Sequence, residues 1–222
     1  MPDKRTAKAE LTRSGIVTAA LRLFRAGGYD ATTMRAIADE AGVSLGSAYY
    51  YFSGKEELIQ AFYDQIQVEH AAAAEPALSA TAFGERLRGV LESYVDVAAP
   101  YHGFGGQFFR NAADPTSPLS PFSVESTPAR EASTALFRRT VEGSDLKLAP
   151  ALREELPELL WLLHMGVVLF WVHDRSPDQR RTRTLVAGVA PLVDRTVRLT
   201  RLPVVRGLVD DVLVLLRSLR EG

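Results

Sequence analysis

The amino-acid sequence predicts an all-α protein, with a small N-terminal domain of three helices and a larger helical C-terminal domain. Apolar residues recur at a spacing of three to four through most of the 222 residues, which is the periodicity of amphipathic helices. Glycine and proline separate these segments, and no alternating strand pattern or internal repeat competes with them. Each helix can therefore be assigned from its own apolar stripe and end signals.

The composition is that of a folded protein in a reducing compartment. Hydrophobic residues make up 46% and charged residues 24% of the chain, and cysteine is absent, so disulfides and thiolate metal sites are excluded. The first ten residues lack the apolar core of a secretory signal. The longest apolar run, 159–172, is shorter than the roughly 20 residues of a membrane-spanning helix. We expect a cytoplasmic protein with no membrane partner.

The first three helices have clear start and stop signals. The first is expected at 10–26 and ends at Gly27-Gly28. The second has an apolar stripe at i, i+3, i+4 and i+7, formed by Met34, Ile37, Ala38 and Ala41. Gly42 can end this helix in the left-handed conformation, and Ser44 can cap the third helix at its N terminus. The turn between the two helices is therefore set by local chemistry.

The rest of the chain is also predicted to be helical. A fourth helix is expected at 55–74, and Glu75-Pro76 marks the boundary between the domains. The stretch 114–128 contains four prolines and four serines, so we expect a loop that can open over an internal cavity. Further helices are expected at 80–98, 103–112, 129–141, 146–156, 157–174, 177–200 and from 203 onward.

Residues 33–52 describe two short helices joined by a tight turn, the geometry that places a helix in the major groove of DNA. A helical wheel puts Ala48 and Phe52 on the inner face of the second of these helices and leaves the outer face to Gly46, Ser47 and Tyr50. Small residues at the start of this helix allow close approach to base edges, and hydroxyl groups can reach phosphates.

Positive charge is concentrated before this motif. Residues 1–35 contain seven Lys/Arg and three Asp/Glu, whereas residues 36–75 contain one and seven. An N-terminal arm with Lys4, Arg5 and Lys8 can neutralise phosphates or enter the minor groove. Beyond the motif, Ser53-Gly-Lys-Glu56 has the pattern of a capping box, and Lys55 lies beside free backbone N–H groups that favour a phosphate.

These residues resemble the DNA-binding domain of TetR/AcrR-family transcriptional regulators. The shared run is T-x-R-x-I-A-x-x-A-G-V-S-x-G-x-x-Y-x-Y-F-x-x-K-E-x-L, and the similarity extends over residues 10–70. The resemblance implies an all-helical homodimer whose N-terminal domains bind a palindromic operator. It also implies that a small molecule releases the DNA by entering the C-terminal domain. The implied domains are 10–70, with the helix-turn-helix at 33–52, and a ligand-binding and dimerisation domain at 76–222.

The resemblance also assigns DNA contacts by position. With the cap Ser44 included, the predicted DNA-binding residues are Thr33, Arg35, Ser44, Leu45, Gly46, Ser47, Tyr49, Tyr50 and Lys55. Leu45 departs from the polar residue often found at its position, so we expect it to contact a thymine methyl group instead of donating a hydrogen bond to a base.

An alternative comes from Gly42-Val-Ser44-Leu-Gly46, which matches the G-x-S-x-G nucleophile elbow of α/β-hydrolases. That motif requires a strand before the serine, and the residues before Ser44 have helical periodicity. A serine hydrolase using Ser44 is therefore disfavoured, and no catalytic residue is assigned. The spacing of the four histidines does not suit a metal site, and no metal or other cofactor is expected.

The effector site is predicted from large aromatic residues near glycines in the C-terminal half. An internal, mostly apolar cavity is expected there, with His164 and Gln107 as polar anchors. Its predicted lining residues are Gln107, Phe108, Phe109, Phe137, Trp161, His164 and Met165.

We therefore predict a ligand-responsive DNA-binding transcriptional regulator, a homodimeric repressor without enzymatic activity. Its partners are a double-stranded DNA operator, a small apolar effector and a second copy of the chain. The helices at 157–174 and 177–200 are expected to pair with the same helices of the second copy as a four-helix bundle. An activator of the same fold is an open alternative.

Overall fold

The computed structural model describes residues 4–114 and 116–202, together with residues 207, 211, 214 and 218. Side chains are described from residue 8 onward, except those of Phe104, Gln107, Phe108, Arg110 and Asn111. Within this part of the chain no strand occurs, so the predicted all-α class is confirmed. The helices are α1 (Lys4–Gly27), α2 (Met34–Glu40), α3 (Leu45–Tyr51), α4 (Lys55–Leu78), α5 (Phe83–Ala98), α6 (His102–Ala112), α7 (Thr127–Glu142), α8 (Pro150–His173) and α9 (Arg180–Leu199).

The chain forms two compact units. The N-terminal unit consists of Met1–Gln67 and Pro100–Arg130, and the C-terminal unit consists of Val68–Ala99 and Glu131–Gly222. This grouping differs from a division at residues 70 to 76, because α6 packs against α1 and the loop after α6 packs against α4. The assignment of separate functions to 10–70 and 76–222 stays a prediction.

Several helix ends differ from the sequence-based expectation. The backbone is helical from Lys4, so α1 includes the segment expected to be an arm. Pro76 lies inside α4, which continues to Leu78, and Pro157 lies inside α8 instead of starting a new helix. A proline inside a helix loses one hydrogen bond and crowds the carbonyl four residues before it, and packing of the surrounding residues can offset this cost. The expected helix from 203 onward lies mostly outside the described residues.

The loop after α6 is more ordered than its proline and serine content suggested. Successive turns join Ser117 to Asp114, Ser120 to Ser117 and Ser123 to Ser120 through backbone hydrogen bonds. The loop is also fixed to α4 in the N-terminal unit, because Tyr63 donates its hydroxyl to the Leu119 carbonyl over 3.1 Å. The central part of the loop is therefore held by defined contacts, and its opening over a cavity stays a prediction.

A buried arginine organises the C-terminal unit. The Arg86 guanidinium donates to the carbonyls of Leu78 at the end of α4 and of Ala80 after it, and to those of Arg139 and Thr140 in α7. Burial lowers the pKa of Arg86, and repulsion from the positive charge of Arg139 lowers it further. Among the described residues, no carboxylate is paired with the Arg86 side chain. One side chain on α5 therefore holds the ends of two other helices together.

Candidate DNA interface and effector site

The start of α2 and the turn after it follow the sequence closely. The Thr33 hydroxyl accepts the N–H of Ala36 over 3.2 Å and caps the helix. Gly42 has a φ of 67°, which is the left-handed conformation that favours glycine at a helix end. The N–H of Val43 then donates to the Ala38 carbonyl over 3.0 Å, so the turn is closed by backbone hydrogen bonds.

Ser44 caps α3 as predicted. Its hydroxyl oxygen accepts the N–H of Ser47 over 3.0 Å, and its backbone is extended. The element before it is the helix α2, not a strand, so the context of a hydrolase nucleophile elbow is absent at this serine. The function of Ser44 shown by this geometry is to fix the start of α3.

The seven-residue helix α3 has one buried side and one exposed side. Ala48 and Phe52 are completely buried, as the helical wheel indicated. Tyr50 is 83% exposed and Tyr49 is 51% exposed, although burying such rings would release considerable free energy. Gly46 is exposed beside them. Two tyrosines and a glycine on one exposed face are therefore available to a partner.

The other predicted DNA contacts lie around this face with differing accessibility. Thr33 and Arg35 are exposed at the start of α2, whereas Leu45 and Ser47 are half-buried in the first turn of α3. Close packing of α3 on α2 and of α2 on α1 holds these residues on one rigid support. A rigid support is what base recognition requires, since misplacement by an ångström breaks a hydrogen bond.

The environment of Lys55 differs from the one expected from the sequence. Its ammonium donates to the Tyr29 carbonyl over 2.8 Å and lies 4.4 Å from the centre of the Tyr29 ring. The capping box also differs, because the N–H of Ser53 donates to Glu57 over 2.6 Å while Glu56 accepts the Tyr29 hydroxyl over 3.1 Å. The Lys55 ammonium also donates to the Asp30 carbonyl over 3.5 Å. Lys55 therefore links the start of α4 to the turn after α1, and any phosphate contact would use its one remaining donor.

Several polar and charged side chains around the helix-turn-helix have defined partners within the N-terminal unit. Burial, followed by the charge of Glu56, raises the pKa of Tyr29, so its hydroxyl stays protonated and donates. The Arg13 guanidinium lies 5.0 Å from the centre of the Phe52 ring, and Arg22 pairs with Glu40 over 2.6 Å at the surface. These contacts stabilise the domain without using the exposed face of α3.

The predicted effector residues are only partly brought together. Phe137, Trp161 and His164 are buried in the C-terminal unit, with the rings of Phe137 and His164 5.6 Å apart, and Met165 is half-buried near the same core. Phe109 belongs to the N-terminal unit. The side chains predicted at Gln107 and Phe108 lie outside the described residues.

Two residues at the same place were missed from the sequence, the buried His70 and the half-buried Tyr94. His70 on α4 and Tyr94 on α5 both have rings next to His164, at 5.8 and 4.4 Å between ring centres. His70 continues the i, i+4 series of Phe62 and Ile66, so a polar residue on an apolar stripe was the available signal. Nothing comparable marks Tyr94.

Neither a metal site nor a membrane span describes this part of the chain better than a DNA-binding regulator does. Within the described residues, no group of three or more histidine, cysteine, aspartate or glutamate side chains is arranged to hold a metal ion. The helix α8 is long and apolar enough to cross a membrane. Its Leu160, Trp161 and Val167 side chains are nevertheless buried in the C-terminal core, as expected for a core helix of a folded protein.

A short capped helix that exposes two tyrosines on a helix-turn-helix defines the class of DNA-binding regulatory proteins. Two family models agree with this class. Residues 16–62 match bacterial regulatory proteins of the tetR family, and residues 86–215 match the tetracyclin repressor-like C-terminal domain. The chain therefore belongs to the TetR family of transcriptional regulators, and the sequence-based resemblance is confirmed.

Individual relatives are similar mainly in the DNA-binding region. The transcriptional regulator SrpR of Pseudomonas putida is 46% identical over 61 residues, which cover 28% of this chain and 29% of SrpR. The chain thus matches less than a third of that relative's length.

Solved structures show the fold over a longer stretch. A TetR-family regulator from Syntrophomonas wolfei covers 83% of this chain and 95% of its own, with 18% identity and a TM-score of 0.65. Thermus thermophilus FadR, a repressor solved in complex with lauroyl-CoA, covers 80% and 92%, with 22% identity and a TM-score of 0.59.

Proposed function

We propose that this protein is a homodimeric, ligand-responsive transcriptional repressor that binds a palindromic operator through α3. It acts in the cytoplasm, where the DNA is, and has no catalytic activity of its own. The observation that carries the proposal is the exposed face of α3, where Gly46, Tyr49 and Tyr50 are left accessible on a helix whose other side is fully buried.

On DNA, the roles of the predicted contacts follow from their positions. Ser47 and Arg35 are proposed to read base edges, because they lie at the starts of α3 and α2. Tyr49, Tyr50 and Thr33 are proposed to bind phosphates and fix the register of the helix. Leu45 would contact a thymine methyl group. Lys55 contributes a positive charge near the backbone but is also needed for the fold.

Dimerisation is proposed through α8 and α9. Each helix carries exposed apolar side chains on its outer side, at Leu162 and Leu169 in α8 and at Leu192 and Leu199 in α9. Two such helices from each copy can form a four-helix bundle.

A substitution at Leu192 tests the dimer. Leu192 is 60% exposed, so Leu192→Arg should yield a folded monomer by sedimentation at micromolar concentration. Val189 packs against the core and would combine a folding defect with any effect on assembly, which makes it the poorer test. A dimeric Leu192→Arg protein would contradict this interface.

Effector binding is proposed in the C-terminal unit, around the buried rings of Phe137, Trp161 and His164. A bound effector would favour a dimer in which the two α3 helices no longer match successive major grooves about 34 Å apart. The decrease in DNA affinity is limited by how much more tightly the effector binds that dimer than the DNA-binding one.

Selection of binding sites from random DNA tests the proposed DNA-reading role directly. The wild-type protein should recover one palindromic motif, and Ser47→Ala should relax the preference at one position of each half-site, at about 1–3 kcal/mol per lost contact. The matched control is Ser14→Ala, the same substitution at an exposed position of α1. An unchanged motif with uniformly weaker binding of Ser47→Ala would show that Ser47 contacts phosphate only.

A further inference from the structure

Three polar side chains meet inside the C-terminal unit, and we call them the histidine centre: His70 from α4, Tyr94 from α5 and His164 from α8. His70 and His164 are completely buried and their rings stack with 5.8 Å between centres. The Tyr94 ring contacts both edge-on, at 5.3 Å from His70 and 4.4 Å from His164.

The hydrogen bonds of this centre are incomplete. His70 Nε2 lies 2.8 Å from the Val90 carbonyl oxygen, and a carbonyl only accepts, so Nε2 carries the proton and Nδ1 is an acceptor. Neither His70 Nδ1 nor either ring nitrogen of His164 has a partner among the described residues. Buried polar groups are nearly always paired, so three unpaired nitrogens in one place call for an explanation.

Burial disfavours the charged form of both imidazoles. Burial, with a smaller contribution from His70, lowers the pKa of His164 well below its ordinary value. Burial also lowers the pKa of His70, against the opposing hydrogen bond to Val90. A neutral His164 has one donor and one acceptor. Together with His70 Nδ1, the centre therefore offers one donor and two acceptors.

We propose that the histidine centre binds the hydroxyl group of an uncharged, otherwise apolar effector such as a phenol or an alcohol. A hydroxyl donates to one unpaired nitrogen and accepts from the N–H of His164. The apolar body would lie against the aromatic rings around it, including Phe137 at 5.6 Å from His164. The inference rests on the proposed effector-responsive function and specifies the ligand class of that site.

Other ligand classes fit the centre less well. A carboxylate only accepts, so it would face two acceptor lone pairs, and a cation only donates, so it would leave the His164 N–H unpaired. A hydrocarbon would leave all three nitrogens unpaired in an apolar environment. A buried water molecule has a second O–H donor and could pair all three nitrogens, so the experiment has to separate water from a ligand hydroxyl.

The test uses three probes of one shape, 4-propylphenol, propylbenzene and 4-propylbenzoate, with binding measured by calorimetry and by thermal unfolding. Wild-type protein should bind the phenol about tenfold more tightly than either of the other probes. His164→Leu should abolish this preference, whereas His164→Gln, which keeps a donor and an acceptor, should retain part of it. The matched control is His173→Leu, the same change at an exposed position of α8, which should preserve the preference.

The unliganded proteins provide the second measurement. His164→Leu should raise the melting temperature, because it removes two unpaired buried polar atoms from an apolar core. A lower melting temperature, combined with equal binding of phenol and propylbenzene, would mean that water already satisfies His164 and would overturn the proposal. Absence of phenol binding to the wild-type protein would overturn it as well.

The same wild-type samples separate this inference from the proposed function. If the protein binds its selected operator but does not discriminate between the probes, only the histidine centre is wrong. If the protein has no sequence-specific DNA binding, the proposed regulatory function fails, whatever the probes show.

Discussion

The helix-turn-helix and the histidine centre differ in how far their polar groups are paired by hydrogen bonds. In the former, Thr33 and Ser44 each accept a backbone N–H, and Lys55 and Tyr29 are paired with defined partners. In the latter, His70 and His164 are buried with three ring nitrogens unpaired. One region is therefore complete without a ligand, whereas the other stores a free-energy cost that a ligand can relieve.

This difference suits a regulator that keeps its DNA-reading element rigid and lets its second region respond. A ligand hydroxyl that pairs two of the three nitrogens stabilises the state in which it binds, and mass action shifts the population toward that state. The energetic difference between the two regions can be examined by substitutions that remove paired groups, since each of these should be destabilising, unlike the removal of His164.

The largest effect is expected at Arg86. Arg86→Ala removes the donor to four carbonyl oxygens at the ends of α4 and α7, and we expect a loss of about 4 kcal/mol in the free energy of unfolding of the C-terminal unit. Urea denaturation followed by tryptophan fluorescence measures it, since Trp161 and Trp171 both lie in that unit. Arg88→Ala, which removes an exposed pair with Glu92, should cost under about 1 kcal/mol. Similar effects of both substitutions would contradict the role of Arg86.

Asp174 should produce the next largest effect, and a pH dependence. Burial opposes its ionisation, yet hydrogen bonds from the N–H and hydroxyl groups of Ser176 and Thr182 hold the pKa of Asp174 well below its ordinary value. Its stabilising contribution is therefore fully present above the unfolded-state pKa of about 3.9 and is lost as the pH falls toward the folded-state pKa. Asp174→Ala should cost about 3 kcal/mol at pH 7 and less at pH 3.

Urea denaturation of wild type and Asp174→Ala at pH 7, 4 and 3 measures this difference. Asp174→Asn keeps the shape and one acceptor oxygen, so its cost should lie between those of wild type and Asp174→Ala. A difference between wild type and Asp174→Ala that does not shrink below pH 4 would mean that the charge of Asp174 is not what stabilises the start of α9.

The smallest effect is expected at the cap of α3. Ser44→Ala leaves the N–H of Ser47 without its partner and should cost about 1 kcal/mol of stability. Because the cap also fixes the start of α3, operator binding should weaken in parallel. Ser44→Asp, which retains a capping oxygen, should recover most of the stability, and Ser14→Ala should change neither property. Full operator affinity in Ser44→Ala would show that the cap does not position the helix.

The sequence predicted the DNA-binding region in more detail than the effector region for a physical reason. Gly42 and Ser44 act on backbone groups within a few residues, so their effects can be read from the local pattern. The meeting of His70, Tyr94 and His164 depends on how three distant helices pack, which no local spacing records. The hydrogen bond from Lys55 to the Tyr29 carbonyl is also a tertiary contact, so the local pattern did not indicate it.

The prolines and the serine-rich loop also show that local sequence alone does not predict the effect of tertiary contacts. Pro76 and Pro157 suggested helix boundaries, but the packing of the surrounding residues carries α4 and α8 past them. The loop at 114–128 had the composition of a mobile segment, yet Leu119 is buried and its carbonyl accepts the Tyr63 hydroxyl. Composition reports local preference, and tertiary contacts override it in these places.

The central claim is sequence-specific DNA binding through the exposed face of α3. Its most direct test is to measure the dissociation constants of the wild-type protein for the selected palindromic duplex and for a scrambled duplex of the same composition, between 50 and 200 mM salt. The selected duplex should bind at least about a thousandfold more tightly than the scrambled one, with both affinities falling as salt rises. Equal affinity for the two duplexes would contradict the account.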